Sequence, residues 1–421
     1  MLDINLLRSE TKKIEELLRR KDKSIQLDLI LKLDEKRRNL ISRVESLRAE
    51  RNKKGDEYGN IKAQGKEDKN LEKEMKSLRE EVLRIEEELR CVQKDFNTKM
   101  AFLPNIPWEG APIGGKEVNK VVKTWGSEPQ FDFAPKDHVT LAKDLDIIDF
   151  NRAVKMAGSQ FIMYKGMGAR LEFALWSYFL EKQIKRGYTF ILPPHIISRE
   201  SMFNTGQLPK FEDDVYSTGE NEQFLVPTAE SVLVNIHSNE ILNESDLPIK
   251  YTAYTPCYRK EAGGYRAGEK GLYRIHQFNK IECVRYVKEE DSLKENEEMV
   301  REAEELVEEL GLRYQTTLLG TLDMSYSMVR TFDVEVYMPT LGRFGEVSSA
   351  STAGDYQSRR SNTKYKTKNG EKKYVHILNA SGLATSRLMI SLLENYQRKD
   401  GSIIIPKVLR KYMGDRKFIK N

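Results

Sequence analysis

The chain has 421 residues, more than one ordinary hydrophobic core accommodates, so we expect two or three domains. Charged residues make up 32% of it and hydrophobic residues 39%, and 70 Lys and Arg nearly balance 65 Asp and Glu. This composition excludes a collagen-like, membrane or uniformly basic protein, and a net charge of +5 permits nucleic-acid binding without favouring it.

The first 21 residues predict a separate amphipathic helix. Residues 1–10 contain no apolar signal core, and no stretch reaches the roughly 18 consecutive apolar residues that a membrane span needs. The three cysteines, Cys91, Cys257 and Cys283, form no C-x-x-C pair and have no histidine at metal-ligand spacing. We therefore expect a cytoplasmic protein with reduced thiols, without structural zinc and without membrane contact.

Two heptad patterns follow and predict a pair of long helices. The first is interrupted by Arg37, Arg51 and Lys54, whose long side chains would have to reach out of the seam, and its apolar or amphipathic positions are Leu33, Leu40, Val44, Leu47, Tyr58 and Ile61. The second alternates four and three apart without a break, through Leu71, Met75, Leu78, Val82, Ile85, Leu89, Val92 and Phe96.

The segment between the two patterns, residues 55–70, carries three glycines, so we expect the chain to reverse there and the helices to pair antiparallel over about residues 26–99. At about 1.5 Å per residue this hairpin is roughly 45 to 55 Å long. It can be a solvated dimerisation or spacer hairpin, or an arm that reaches a distant part of a large ligand.

A segment rich in proline and glycine, residues 104–120, predicts a linker between a first domain of residues 1–103 and a second of residues 121–421. Beyond it, residues 169–186 form a helical pattern that stops at Gly187 and leads into a strand-like segment ending at Pro193 and Pro194. From there strands alternate with helices, and the turns between adjacent strands are short enough for hairpins.

Residues 256–282 predict a hairpin that suits a nucleotide. Arg259 and Glu261 are two apart, so they share a face of the first strand. The return strand carries a set of polar and aromatic side chains on one face, namely Arg274, His276, Phe278, Lys280 and Glu282. Arginines bind phosphates, and an aromatic ring stacks on a base. A solvent-facing hairpin with cross-strand ion pairs explains the pattern equally well.

Three further segments hold isolated candidates. Arg387 is the only charge in the apolar segment 382–393, where a guanidinium costs free energy unless it pairs with a carboxylate or meets an anion. Glu346 stands before three serines in residues 345–351 and could hold Mg²⁺ beside phosphates, although a polar turn is the commoner explanation. Thr228 and Glu230 are two apart, which an ordinary surface strand also explains.

No P-loop or Rossmann glycine fingerprint is present, so nucleotide binding would not use either of those folds. Instead, nearly the whole chain resembles the bacterial-type seryl-tRNA synthetases, a family of class II aminoacyl-tRNA synthetases. Residues 169–194 resemble motif 1 with its closing prolines, residues 256–282 motif 2, and residues 379–396 motif 3. The sequence VPTAE at residues 226–230 matches the family's serine-site loop.

The resemblance implies an α+β fold: an antiparallel class II sheet flanked by helices, preceded by an antiparallel α-helical coiled-coil arm that grips the long variable arm of tRNA(Ser). Motif 1 would build a homodimer interface. The implied reaction has two steps. Serine and ATP give seryl-adenylate and pyrophosphate, and the seryl group then passes to tRNA(Ser), and to tRNA(Sec) where that is present.

The resemblance also implies roles for single residues. Arg259 would bind the α-phosphate and the serine carboxylate, Phe278 would stack on adenine, and Arg387 would bind the γ-phosphate. The implied serine-binding set is Thr228, Ala229, Glu230, Arg259, Glu282 and Ser381. The implied ATP-binding set is Arg259, Lys260, Glu261, Ile275, Phe278, Glu346, Val347, Ser348, Ser349 and Arg387. Glu346 and Ser349 would also hold Mg²⁺ with the ATP.

The sequence departs from the family pattern at three places. Ser386 replaces the usual glycine before Arg387, residues 350–353 replace a Cys-Ser-Asn-Cys-like stretch, and the loop of motif 2 has rearranged glycine and basic positions. These departures concern turnover rate or tRNA preference more than reaction class, and they raise the hypothesis of a specialised duplicate. The alternatives are a class II paralogue that activates a small amino acid for a carrier other than tRNA, and a tRNA-binding protein with a decayed site.

Overall fold

A computed structural model describes residues 1–219, 222–261 and 271–420. The chain divides into two compact units, Met1–Leu103 and Pro104–Asn421. The rearranged glycine and basic positions of the motif 2 loop lie largely outside the described residues, which resume at Gly271.

The first unit is entirely helical. Its helices are α1 (Ile4–Ser9), α2 (Thr11–Arg19), α3 (Asp28–Ala63) and α4 (Lys69–Ala101). The side chain of Asp68 caps α4 by accepting from the backbone N–H groups of Asn70 and Leu71, each at 3.0 Å. Helices α3 and α4, which we call the arm, run antiparallel, since Arg43 pairs with Glu81 and Lys54 with Glu74.

The arm reverses later than expected. Helix α3 continues through Gly55 and Gly59 and ends at Ala63, so only residues 64–68 connect the two helices. A glycine inside a helix costs about 1 kcal/mol relative to alanine, which packing against a second helix can offset. A Cβ on Gly55 would lie 3.9 Å from Met75 Cε, which is ordinary packing contact.

The seam of the arm holds the predicted apolar residues, and its buried cluster is Val44, Leu47, Leu78, Val82 and Ile85. Arg37, which interrupts the pattern, donates to the buried carboxylate of Asp34 at 2.8 Å. Its guanidinium also lies 4.7 Å from the centre of the Phe96 ring. Arg37 therefore stays largely inside the helix pair, because a carboxylate and an aromatic ring there offset the cost of burying its charge.

The second unit is built on an eight-stranded sheet. Its helices are α5 (His138–Asp144), α6 (Phe150–Ala157), α7 (Met167–Lys185), α8 (Arg199–Asn204), α9 (Glu230–Leu233), α10 (Ser292–Glu309), α11 (Tyr356–Ser361) and α12 (Thr385–Asn395). The strands are β1 (Lys120–Trp125), β2 (Thr189–Ile191), β3 (Ile196–Ser198), β4 (Gln223–Leu225), β5 (Ile241–Asn243), β6 (Ile249–Tyr258), β7 (Gln277–Val287), β8 (Tyr314–Leu318), β9 (Arg330–Met338), β10 (Arg343–Gly354), β11 (Lys364–Lys366), β12 (Lys372–Tyr374), β13 (His376–Ala384), β14 (Ile403–Ile404) and β15 (Phe418–Ile419). Short 3₁₀ turns lie at Lys116–Val118, Glu212–Asp214, Glu244–Asp246, Glu289–Asp291 and Lys407–Met413.

The strands of the large sheet have the order β1-β8-β9-β10-β13-β7-β6-β2. Every neighbouring pair is antiparallel except β2 and β6, which are parallel. Helices α7, α10 and α12 pack on the sheet and bury its apolar side chains. This α+β architecture with an N-terminal helical arm confirms the predicted fold class.

The order of the strands brings motif 2, motif 3 and the segment with Glu346 together. Motif 2 supplies β6 and β7, motif 3 supplies β13 and α12, and the segment with Glu346 supplies β10, so β6, β7, β13 and β10 are consecutive in the sheet. Among the described residues, no helix contains a segment both long and apolar enough to cross a membrane.

Candidate active site

Two cavities lie over these central strands, with volumes of about 520 Å³ and about 250 Å³. They share several lining residues, among them Arg274, Glu346 and Ser349, so they adjoin. The larger cavity is lined by eight of the predicted site residues, Thr228, Glu230, Arg259, Glu261, Glu282, Glu346, Ser349 and Ser381. Arg387 lines the smaller cavity.

One end of the larger cavity holds Glu282, which lies on β7 and is almost fully buried. Its Oε2 accepts a hydrogen bond from Thr228 Oγ1 at 2.9 Å and pairs with Lys280. Thr228 and Glu282 are 54 residues apart, and the backbone of Ser381 on β13 lies opposite Glu282 in the sheet register. The fold therefore places these three predicted serine-site residues side by side.

Glu230 is a second buried carboxylate in the same cavity, at the start of α9. Its Oε1 accepts from Gln357 Nε2 at 2.7 Å and from Asn379 Nδ2 at 2.9 Å. Burial raises the pKa of Glu230 to about 7, and the negative charge of Glu282 contributes to the shift. A buried carboxylate whose charge is disfavoured in this way suits a cationic ligand.

Arg259 and Glu261 are placed differently from the strand pattern that we predicted, because β6 ends at Tyr258 and Glu261 has a φ of 52°. Arg259 Nε donates to the carbonyl oxygen of Pro227 at 3.2 Å, and its guanidinium lies 5.3 Å from the Phe278 ring centre. Glu261 instead pairs with Arg274 at 2.7 Å. Both side chains nevertheless line the larger cavity.

Arg387 lies in the first turn of α12 and donates to Glu346 Oε2 at 2.9 Å. Burial by itself raises the pKa of Glu346, but the Arg387 guanidinium reverses this and holds that pKa below its ordinary value. On the adjacent strand, burial and the nearby Glu346 charge raise the pKa of Asp333 well above its ordinary range. The ion pair, one of the two explanations for Arg387, is present, and it faces a cavity.

Six predicted residues do not line either cavity. Four of them are buried: Ala229, Ile275, Val347 and Ser348. Lys260 is exposed, and its backbone N–H donates to the carbonyl of Asp214 at 2.8 Å. Phe278 is half-buried beside Arg259.

Sequence reasoning missed several lining or supporting residues. Lys280 stands on the predicted polar face of the return strand and Asn379 begins motif 3, but neither was assigned to the site. Gln357 on α11 and Asp333 on β9 lie outside every motif, so the sequence offered no sign that they reach Glu230 and Ser349. Tyr273 lines the smaller cavity, and Arg387 lies 5.7 Å from its ring centre.

Two departures from the family pattern lie inside the fold. Ser386 is buried in the first turn of α12, next to Arg387. Residues 350–353 form the buried part of β10, where Ser351 Oγ and Thr331 Oγ1 are hydrogen-bonded at 2.9 Å. Within residues 1–219, 222–261 and 271–420, no cluster of three or more His, Cys, Asp or Glu side chains is arranged to hold a metal ion by itself.

Comparison with known proteins identifies both units. The family described as "Seryl-tRNA synthetase N-terminal domain" matches residues 1–107, and "tRNA synthetase class II core domain (G, H, P, S and T)" matches residues 210–396. "Serine--tRNA ligase 2" of Clostridium acetobutylicum is 48% identical over 424 residues, which cover 99% of this chain and all of that protein.

Two more relatives agree. "Serine--tRNA ligase" of Caldicellulosiruptor bescii is 46% identical over 98% of this chain and 99% of that protein. A crystal structure of seryl-tRNA synthetase from Pyrococcus horikoshii complexed with ATP superposes with a TM-score of 0.91 at 34% identity, covering 100% of this chain and 99% of that one.

Proposed function

The chain belongs to the seryl-tRNA synthetase family and attaches serine to tRNA with the consumption of ATP, and on that premise we propose how its own side chains carry out the reaction. The observation that carries the proposal is the continuity of the two cavities. Buried carboxylates lie in one of them, Arg387 lies in the other, and Arg274, Glu346 and Ser349 line both.

We assign serine to the end of the larger cavity that holds Glu230 and Glu282. The ammonium group of serine would pair with Glu230, since Glu282 already pairs with Lys280, and Thr228 with Glu282 would bind the serine hydroxyl. Alanine lacks that hydroxyl, so its binding would leave a buried polar group without a hydrogen bond. Sites that bind a substrate hydroxyl in this way strongly reject an analogue that lacks it. Gln357 and Asn379 hold Glu230 in place through their amide donors.

We assign the triphosphate of ATP to the region between Arg259 and Arg387. Arg259 would bind the α-phosphate and the serine carboxylate, and Phe278 would lie beside the adenine. Arg387 would give up part of its ion pair with Glu346 and bind the γ-phosphate. Serine carboxylate attacks the α-phosphorus and pyrophosphate leaves. The terminal ribose hydroxyl of tRNA then attacks the seryl carbonyl and AMP leaves. Neither step requires a protein base, so rate comes from positioning and from stabilising phosphate charge.

Mg²⁺ fits beside Glu346, Ser349 and Asp333. Burial and the charge of Glu346 raise the pKa of Asp333, and a divalent cation beside both carboxylates would offset that effect. Oxygen donors are the ligands that Mg²⁺ prefers, and the phosphates of ATP would complete the set, since too few side chains converge to hold the ion alone. When bound, Mg²⁺ supplies positive charge to the phosphates.

We further propose that residues 1–103 form the tRNA-binding domain, joined by residues 104–120 to the catalytic domain of residues 121–421. The arm would hold the long variable arm of tRNA(Ser), and of tRNA(Sec) where it occurs.

The enzyme would work in the cytoplasm as a homodimer. Three side chains of motif 1 support the dimer, because Phe173, Ile184 and Leu192 are 55%, 47% and 74% exposed and a second copy would cover them.

Exchange of labelled pyrophosphate into ATP tests the site, with serine, alanine, glycine and threonine compared. We expect exchange with serine alone at a substantial rate, followed by transfer of serine to tRNA(Ser). Exchange that prefers another amino acid would overturn the assignment of the serine pocket. Exchange with serine but no transfer to any tRNA would support a paralogue that serves a different carrier.

A further inference from the structure

We propose that His138 is a positioning residue for ATP, although it lies outside the three motifs and lines neither cavity. It would act by holding residues 271–274 of motif 2. The inference rests on the proposed ATP site and adds to it a residue that the motifs do not contain.

His138 is buried at the start of α5, where its ring lies between two parts of the chain. Its Nδ1 lies 3.0 Å from Glu394 Oε1, and its backbone N–H donates to the same oxygen at 3.2 Å. On the other side of the ring, the backbone N–H of Leu272 donates to His138 Nε2 at 3.4 Å. Since Leu272 supplies a donor, Nε2 is the acceptor and the imidazole proton lies on Nδ1, facing Glu394.

Glu394 connects this contact to the phosphate-binding helix. It is fully buried on α12, seven residues after Arg387, so the two side chains lie on one face of the helix, two turns apart. The other oxygen of Glu394 accepts from Thr340 Oγ1 at 2.7 Å and from the Thr340 backbone N–H at 3.2 Å. One helix therefore presents Arg387 to the cavity and anchors His138.

The approach of motif 2 to His138 is close. A Cβ on Gly271 would lie 2.5 Å from His138 Nε2 and 2.6 Å from Val139 Cγ2, and Gly271 has a φ of 70°. Only glycine tolerates both the positive φ and the close approach of His138 and Val139 without strain. The next residues are Leu272, which is fully buried, and Tyr273, whose ring faces Arg387 and lines the smaller cavity. Holding Leu272 therefore sets the position of Tyr273 and Arg274 at the ATP site.

Two substitutions of His138 separate its two contacts. The amide of glutamine reaches the position of Nε2, so His138→Gln keeps an acceptor for Leu272, whereas the shorter amide in His138→Asn reaches only the position of Nδ1 and keeps the contact with Glu394. We expect His138→Asn to raise the KM for ATP in serine-dependent pyrophosphate exchange roughly five- to tenfold, the equivalent of one lost hydrogen bond. The KM for serine should stay within about twofold, and His138→Gln, which keeps the acceptor for Leu272 but loses the Nδ1 contact with Glu394, should raise the KM for ATP less than His138→Asn does.

Gly271→Ala serves as a second variant in case His138→Asn does not fold, because its methyl group displaces the same segment. It should also raise the KM for ATP selectively. An unchanged KM for ATP in a folded His138→Asn protein, or equal rises for ATP and serine, would overturn the proposal. Absence of exchange in the parent enzyme would instead refute the proposed function itself.

Discussion

In the first unit the charged side chains lie mostly on the outside of two long helices, whereas in the second unit several lie inside the fold. Arg48 of the arm is 56% exposed and pairs with Glu86 at 2.7 Å. Arg285 of β7 is completely buried, with hydrogen bonds to Glu302 at 2.6 Å and to Tyr188 at 2.7 Å.

The difference shows what charge does in each unit. An exposed pair on the arm adds little stability, so the charges there are free to serve solubility or RNA phosphates. A buried charge must have its partners in place, or the desolvation cost is not offset. The catalytic unit therefore depends on a defined arrangement of charges, and the arm depends on its apolar seam.

Deleting residues 26–99 gives the largest expected effect. The ends of the arm lie together because its helices are antiparallel, so a short Gly-Ser linker can close the gap. We expect the shortened protein to form seryl-adenylate in pyrophosphate exchange but to lose transfer of serine to tRNA(Ser) completely. Transfer that survives the deletion would mean that the arm does not bind the tRNA.

Removing the buried arginine should damage the fold. Arg285→Ala leaves several carboxylates without their partner, including Glu295 and Glu302, and we expect the free energy of unfolding to fall by about 3 to 5 kcal/mol. Denaturant unfolding measures this loss. A loss below about 1 kcal/mol would show that burial of charge does not distinguish this unit from the arm.

Arg387→Ala tests whether the charge beside the smaller cavity serves ATP or only the fold. We expect the KM for ATP to rise about 10- to 100-fold, which corresponds to the loss of one or two hydrogen bonds to a charged group. The thermal unfolding temperature should change little. Equal loss of folding and of ATP binding would favour a purely structural ion pair with Glu346.

Serine binding should depend on pH through Glu230. Because its pKa in the folded protein is about 7, the carboxyl is protonated below that pH and cannot pair with the serine ammonium group. The apparent affinity for serine should therefore rise as pH increases towards 7, by at most about tenfold per unit, and then level off. Glu230→Gln should weaken serine binding and remove this pH dependence. The control is Glu304→Gln, which changes a buried carboxylate outside both cavities and should leave the pH dependence unchanged.

The smallest effect is expected in the arm. Arg48→Ala removes an exposed ion pair, and we expect the free energy of unfolding to change by about 0.2 to 1 kcal/mol. Denaturant unfolding of this variant is the matched control for Arg285→Ala. A loss comparable to that of Arg285→Ala would contradict the contrast between the two units.

Much of the fold could be predicted because its patterns are local. The second heptad run, residues 71–96, lies inside a helix as expected. The chain reverses later than predicted, because glycines can remain helical when their helix packs against a second one. The face shared by Arg259 and Glu261 was predicted wrongly, since the strand ends before both and Glu261 adopts a positive φ.

The sequence by itself determined the heptad helices and the resemblance of three motifs and a serine-site loop to one family, because each depends on residues close together in the chain. Only the tertiary structure decided what surrounds the carboxylates. Glu230 takes its amide donors from Gln357 and Asn379, 127 and 149 residues away, and His138 meets Glu394 at a separation of 256. Such contacts follow from the order of strands in the sheet and from the packing of α12, which no local pattern encodes.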